Sequence, residues 1–292
     1  MIYPLLPGRL DLGAARINGA GLGNCLFTYA HAFVAARRSG ARLISPAWRT
    51  IAINKTLRGD GTIRRYGDML RPHPDELAGS AKAMAFAKHW MRRTRVSLVP
   101  GTVPHVAQHG LTIFDAPDFT FRGLHESREA IRKRLLEIVI DRVASEVTWG
   151  AGHHIGVHVR LGDFAIASAN ALASGRTANL RIPLAWYRDR ILEQRQRMPA
   201  VPIHIFSDGS PTELQSLLSI DGATIRREAH DVADLVALAE SRVLIGSHST
   251  FSRWAAFLGN MPSIWLDSAN RAERPTGDDI PINYVAHTGA MR

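Results

Sequence analysis

The second half of the chain alternates two patterns, and that alternation strongly limits its fold. IGVHVRLGDF, from Ile155, is an apolar strand running into a polar loop; LAWYRDRILEQRQRM, from Leu184, has helical spacing; VPIHIFSDG, from Val201, is again strand then loop. TELQSLLSI reads as a helix, and DVADLVALAESRVLIGSHSTFSRWAAFLG, from Asp231, gives helix, strand, turn and helix. Strands that alternate with helices pair in parallel, because a parallel return needs a crossover long enough to hold a helix. The expected fold class is therefore α/β, with helices flanking parallel sheets. Such sheets bind ligands at the carboxyl ends of their strands. Three loops of that kind carry polar clusters here: Arg160 to Phe164, Ser207 to Ser210 and Ser247 to Ser252.

The first half opens with INGAGLGNCLFTYAHAFVAARRSGARLI, which reads as short strand, glycine turn, helix from about Cys25 to Ser39, and a strand ARLIS. A dinucleotide fingerprint needs G-x-G-x-x-G between strand and helix, with an acid about 20 residues on. Gly19 and Gly21 supply two of the glycines, but Asn24 holds the third slot and Ala41 to Trp48 contains no carboxylate. The match is partial, so a turn that lets the backbone approach some other ligand stays open beside a turn with no ligand. From Trp48 to Pro117 periodicity is poor apart from a helical patch, SAKAMAFAKHWMRRTR; HESREAIRKRLLEIVIDRVASEV then reads as one helix with Ile131, Leu135, Ile138 and Val139 on one face. With 292 residues the chain has room for two domains. The expected boundaries are 1–150 and 151–292, two facing Rossmann-like units with a cleft between them.

The rest of the composition narrows the partners. A net charge of +10 and a single cysteine, Cys25, leave no intramolecular disulfide and no cysteine-built metal site. The basic balance suits phosphates of any origin, and with no zinc-finger, basic-zipper or RNA-binding aromatic signature a nucleic-acid partner is not expected. No apolar run approaches the roughly 18 residues a membrane span requires, and the start MIYPLLPGRLDLG lacks a signal-peptide pattern, so the expected location is cytoplasmic. KAMAFAKHWMRRTR, read as a basic helix, adds a peripheral contact with an anionic membrane as an alternative to a plain solvated surface. His154 and His158 lie four residues apart on one strand face, roughly 13 Å, too far to share a metal ion.

Arg160 ends an apolar strand, where a guanidinium needs an anion, and its planar fork suits two phosphate oxygens. An internal pair with Asp163 is the competing reading. In VLIGSHSTFSRWAAFLG a serine-rich turn opens a helix, a place for a phosphate on backbone N–H groups or for ordinary capping. GSHS does not fit the nucleophile elbow of serine hydrolases.

Taken together, GLGNCLFTYAHAFVAARRSGARL, HVRLGDF, FSDG and LIGSHSTFSRWAAFL resemble, in order and spacing, the GGLGNQ opening, the H-x-R-R-G-D-Y, FSDD and I-S-N-S-T-F-S-W-W-A-A-W-L motifs of α-1,2-fucosyltransferases, glycosyltransferase family 11. The resemblance implies the GT-B architecture and metal-independent, inverting transfer of fucose from GDP-fucose to a glycan or lipid-linked glycan, with no cofactor. Carried over by position, Arg160 contacts the donor diphosphate while His158 and Asp163 shape its loop; Ser207 and Asp208 lie near the base or ribose. Ser249, Thr250 and Phe251 cradle the diphosphate, and Gly21, Gly23 and Asn24 face the transferred sugar. Asp163 is the first candidate base, with Asp68 and Asp115 behind it. Three positions depart from the motifs: Leu161 for the second arginine, Gly209 for the second aspartate and Cys25 for the glutamine. They leave another nucleotide sugar, or a non-catalytic nucleotide- or nucleic-acid-binding module, as alternatives.

Overall fold

A computed structural model describes residues 1–51, 66–97, 106, 110–116, 119–145, 153–166, 168, 180–226, 230–266 and 282–285. The chain divides into two compact units, Met1–Ala144 and Ser145–Arg292. Both are α/β with mostly parallel strands.

In the first unit, strand β1 (Ile2–Pro4) runs parallel to β6 (Leu111–Ala116), which runs parallel to β5 (Arg93–Ser97). Single bridges from Ile2 to Leu43 and from Ile44 to Leu77 continue this sheet, so ARLIS contributes two paired residues rather than a full strand. Tyr3, Ile44, Leu77, Ala85, Leu111 and Ile113 pack together on it. A smaller sheet joins β2 (Gly8–Asp11) antiparallel to β3 (Ala15–Gly19), which runs parallel to β4 (Arg49–Ile51). After the glycine turn comes helix α1 (Leu22–Ser39). Cys25, Leu26, Phe27, Tyr29, Ala30 and Phe33 are all buried along it. It stops at Gly40, whose φ of 67° is the left-handed conformation a glycine cap adopts without strain, and Arg37 and Arg38 meet the negative end of the helix dipole.

Two expected helices are shorter in the structure. SAKAMAFAKHWMRRTR forms α2 (Gly79–His89) and one 3-10 turn (Trp90–Arg92), but Arg93 and the residues after it are the strand β5. Ladder hydrogen bonds to β6 outweigh the helical pattern there, a tertiary override of local preference. HESREAIRKRLLEIVIDRVASEV breaks into α3 (Arg128–Ile138) and a four-residue α4 (Asp141–Ala144). Val139 turns extended, with ψ at 135°, because it pairs with Leu70, and the Ile140 N–H donates to the Met69 carbonyl at 2.9 Å.

The second unit is one parallel sheet in the order β11-β10-β7-β12-β13-β14: Ala223–Arg226, Ile203–Ser207, Ile155–Val159, Val243–Ile245, Ser263–Leu266 and Ile282–Val285. Between β7 and β10, strands β8 (Ala165–Ile166) and β9 (Leu180–Arg181) form a two-stranded parallel pair. The glycine- and alanine-rich loop between them falls almost wholly outside the described residues. Counted along the chain from β7, the six strands stand 3-2-1-4-5-6, the doubly wound Rossmann order. Ile155, Val157 and Val159 face a core shared with Trp186, Tyr187 and Ile191 of α5 (Leu184–Arg197) and Leu217 of α6 (Gln215–Leu218). Gly156 and His158 face the other way, as strand alternation requires. Gly156 lies so close to Ser241 and Leu238, at and just past the end of α7 (Asp231–Ala239), that a side chain there would collide with them. His158 faces α8 (Thr250–Gly259). The chain leaves β7 to one side of the sheet and reaches β12 on the other, so the strand order reverses between these two strands.

Candidate functional site

A reversal of strand order opens a crevice at the carboxyl ends of the two strands that flank it, which is where doubly wound sheets take their ligands. Here those ends are Val159–Arg160 and Ile245–Ser247. His158 joins them. Its Nδ1 lies 2.8 Å from Ser247 Oγ, 2.6 Å from Ser252 Oγ and 3.4 Å from Ser249 Oγ, and its ring lies against that of Phe251, centroids 5.1 Å apart. Burial, and secondarily the Arg160 charge, push the His158 imidazole down to about 4, so it is neutral at physiological pH. A neutral, enclosed ring bonded to hydroxyls ties β7 to α8 and brings no charge to a ligand.

The serine turn serves two purposes. Ser247 and Ser252 are buried on His158, whereas Ser249 caps α8 by accepting from the Ser252 N–H at 3.2 Å. Half-buried Thr250 and Phe251 follow, with their N–H groups at the open end of the helix, where backbone donors and the dipole favour an anion. Gly246, just before the turn, lies against the Trp265 ring, and a Cβ there would come within 2.8 Å of it.

Arg160 is a quarter exposed and bonded on both sides. Nη2 donates to Asp163 Oδ1 and Nη1 meets Asp208 Oδ2, both at 2.5 Å. Asp163 is 63% exposed and makes an i,i+3 pair; Asp208 is 17% exposed and also accepts from the Leu161 N–H at 2.8 Å. Asp208 therefore fixes the β7 loop to the β10 loop, while Asp163 closes over the arginine from outside. Gly162 is required by the same packing, since any Cβ would run into the Asp208 carboxylate. Ser207 shapes the β10 turn by accepting from the Gly209 N–H at 3.0 Å.

Arg181 is a member of the site that the sequence reading missed. It donates from Nε to the Phe164 carbonyl at 2.9 Å and from Nη2 to Gly162 at 3.4 Å, and lies 3.7 Å from Glu213, bracing the Arg160 loop. It sits in no motif, and only the pairing of β8 with β9 brings it there. A second contact joins two of the motif departures. A Cβ at Gly209 would strike Leu161 Cδ1, so the two positions where the resembled motifs carry arginine and aspartate touch each other here as leucine and glycine.

The second unit thus brings His158, Arg160, Asp163, Ser207, Asp208, Ser249, Thr250 and Phe251 to the carboxyl ends of β7, β10 and β12 and the start of α8. Gly21, Gly23 and Asn24 stand at the start of α1 in the first unit; Gly21 is its N-cap without a side-chain cap, and the buried Asn24 Oδ1 has no hydrogen-bond partner. Of the other candidate bases, Asp115 faces Arg95 at 3.6 Å and accepts from Ser97, and Asp68 lies exposed in a 3-10 turn. Among the described residues no three His, Cys, Asp or Glu side chains come together as metal ligands would.

A Rossmann-ordered parallel sheet with an arginine and a helix N-terminus at its switch point defines the class of the second unit as a doubly wound α/β fold. Comparison with solved structures narrows the fold further. The chain matches a crystal structure of the α-1,6-fucosyltransferase NodZ soaked with GDP-fucose at TM-score 0.55 and 17% identity, over 92% of this chain and 95% of that one. It matches the fucosyltransferase NodZ from Bradyrhizobium at TM-score 0.52 and 16% identity, over 88% and 92% of the two chains. The fold is thus one that fucosyltransferases use. No protein-family model matches the sequence, and no curated protein does.

Proposed function

We propose that this protein is an inverting glycosyltransferase that moves fucose from GDP-fucose to a sugar hydroxyl. The observation that carries the reading is Arg160, held between carboxylates at the switch point beside the open N-terminus of α8. The four ordered motifs and a fold shared with NodZ, which was soaked with GDP-fucose, support the choice of donor.

Arg160, Asp163 and Asp208 together carry one net negative charge, which repels a diphosphate. Asp163, the exposed partner, therefore has to release the guanidinium before phosphate oxygens take its place, while Asp208 keeps the loop in position. The acceptor oxygen then bonds to the anomeric carbon as the bond from that carbon to the β-phosphate oxygen breaks. The electron pair leaves with GDP, where Arg160 and the Thr250 and Phe251 N–H groups meet the growing charge. The acceptor proton passes to a base, for which the released Asp163 is the candidate. Gly21, Gly23 and Asn24 belong to the transferred sugar in this reading, and Ser207 with Asp208 to the nucleoside side.

The finer assignment is α-1,2 linkage to a galactoside in surface glycan synthesis, from the motifs; the likeness to NodZ favours α-1,6 linkage as the second reading. Hydrolysis and thermal-shift assays with GDP-fucose, other GDP-sugars and UDP-sugars test the donor, and transfer to β-galactosides and other sugar acceptors with product linkage analysis tests the bond. Selective stabilisation by UDP-sugars, or none by GDP, would refute the donor assignment. Because the arginine supplies the positive charge, activity is expected to survive excess EDTA; loss on chelation with recovery on added manganese would refute that part.

A further inference from the structure

The first unit carries a surface that the transferase reading does not use. From Leu77 to Phe114 the sequence holds no aspartate or glutamate, against Lys82, Lys88, Arg92, Arg93 and Arg95. Lys82 is turned inward, donating to the Gly13 and Ser45 carbonyls at 2.6 and 2.5 Å; the other four are exposed. Large apolar side chains stand among them. Met91 is 89% exposed, Met84 71% and Trp90 46%, all on α2 or the 3-10 turn that ends it. Arg93 stacks on the Trp90 ring at 4.1 Å and donates to the Trp90 carbonyl at 2.7 Å, which holds the indole outward beneath a guanidinium. Of the acidic groups outside this run, Asp11 and Glu76 act on the inward Lys82, and Asp115 lies 3.6 Å from Arg95.

Leaving three large apolar side chains in water is unfavourable, and surrounding them with uncompensated cations would be costly against any neutral or basic partner. An anionic bilayer satisfies both features at once, since methionine and tryptophan enter the headgroup region while lysine and arginine meet lipid phosphates. A nucleic acid would use the cations and leave the two methionines unexplained. We infer that Met84, Trp90 and Met91, ringed by Lys88, Arg92 and Arg93, form a docking surface for anionic membrane lipid.

The test uses the full chain with vesicles of phosphatidylcholine alone and of phosphatidylcholine mixed with phosphatidylglycerol. The expected result is cosedimentation with the anionic vesicles and little with the neutral ones. Each basic residue near such a surface contributes roughly a five-fold factor, so Lys88→Gln/Arg92→Gln/Arg93→Gln should lower partitioning about 100-fold. Met84→Ser/Met91→Ser, which leaves every charge in place, should lower it several-fold. A control with the same charge change elsewhere, Arg188→Gln/Arg197→Gln/Arg242→Gln on exposed positions of the second unit, should bind nearly as wild type. The inference is overturned by absence of binding to anionic vesicles, by equal losses in the two charge variants, or by an unaffected methionine variant. It is equally overturned if the Lys88/Arg92/Arg93 variant loses binding to an oligonucleotide but not to vesicles, which would assign the surface to nucleic acid. Partitioning is measured without donor or turnover, so its failure would be distinct from failure of the transferase reading.

Discussion

At the scale of single residues, the site turns on how Arg160 exchanges its partners. Lysine at this position keeps the charge and loses the fork, so it can satisfy Asp208 or a phosphate but not the paired geometry. Arg160→Lys is expected to lower turnover about 100- to 1,000-fold, the effect of removing one preorganised donor, with a small change in Tm. Near-normal turnover with a lowered Tm would instead make the arginine a structural tie between two loops. Asp163 gives the complementary test. Its exposed pair with Arg160 is worth little in water, so Asp163→Asn should tighten GDP binding by only roughly two- to five-fold, because the diphosphate no longer competes for the guanidinium. Titration calorimetry reads this directly, and weaker GDP binding would mean that Asp163 helps to build the anion site. The i,i+3 contact to Asp163 was legible from spacing; the contact to Asp208, 48 residues from Arg160 and in the loop after another strand, was not.

Between elements, the β7 and β10 loops meet through Leu161 and Gly209 as well as through Asp208. Gly209→Asp would press a carboxylate into the buried leucine and leave it without a partner, with an expected cost of about 2–3 kcal/mol. Adding Leu161→Arg supplies that partner, and the double variant should recover at least about 1 kcal/mol relative to the sum of the single changes. Denaturant unfolding of the four proteins closes the cycle. Strict additivity would show that the two positions do not communicate, and that the chain's two motif departures are independent. The helix patterns were read correctly in α1, which is buried on nearly every side, and in α5, which buries one face. They failed at Arg93 and at Val139, where pairing with a distant strand segment outweighed local spacing.

For the whole molecule, buried histidines are expected to make the fold sensitive to acid. His154, stacked on His204 with ring centroids 4.5 Å apart, and His158 are each pushed down to about 4, chiefly by burial. In the unfolded chain they take up protons near pH 6.5, so between about 6.5 and 4 the unfolded state binds more protons and stability falls as pH is lowered. The two together should remove about 5 kcal/mol between pH 7 and pH 4.5, and His154→Gln should flatten that profile by about half. An unchanged slope in the variant would move the acid sensitivity to the carboxylates.

Local pattern alone determined that this is a parallel α/β chain, that Ile155, Val157 and Val159 face one side of their strand, and that the loops holding Arg160, Asp208 and Ser249 follow strand ends. Each of these depends on residues within a few positions of one another, so periodicity encodes it. Strand order does not. That β12 pairs with β7, and so brings Ser247 and Ser252 onto a histidine 89 and 94 residues away, follows from which arrangement buries the most apolar surface with every strand paired. Pairing of β8 with β9 likewise places Arg181 under the site, and pairing of β7 with β10 sets Leu161 on Gly209. Those contacts form between segments whose own sequences say nothing of each other, and only the folded sheet decided them.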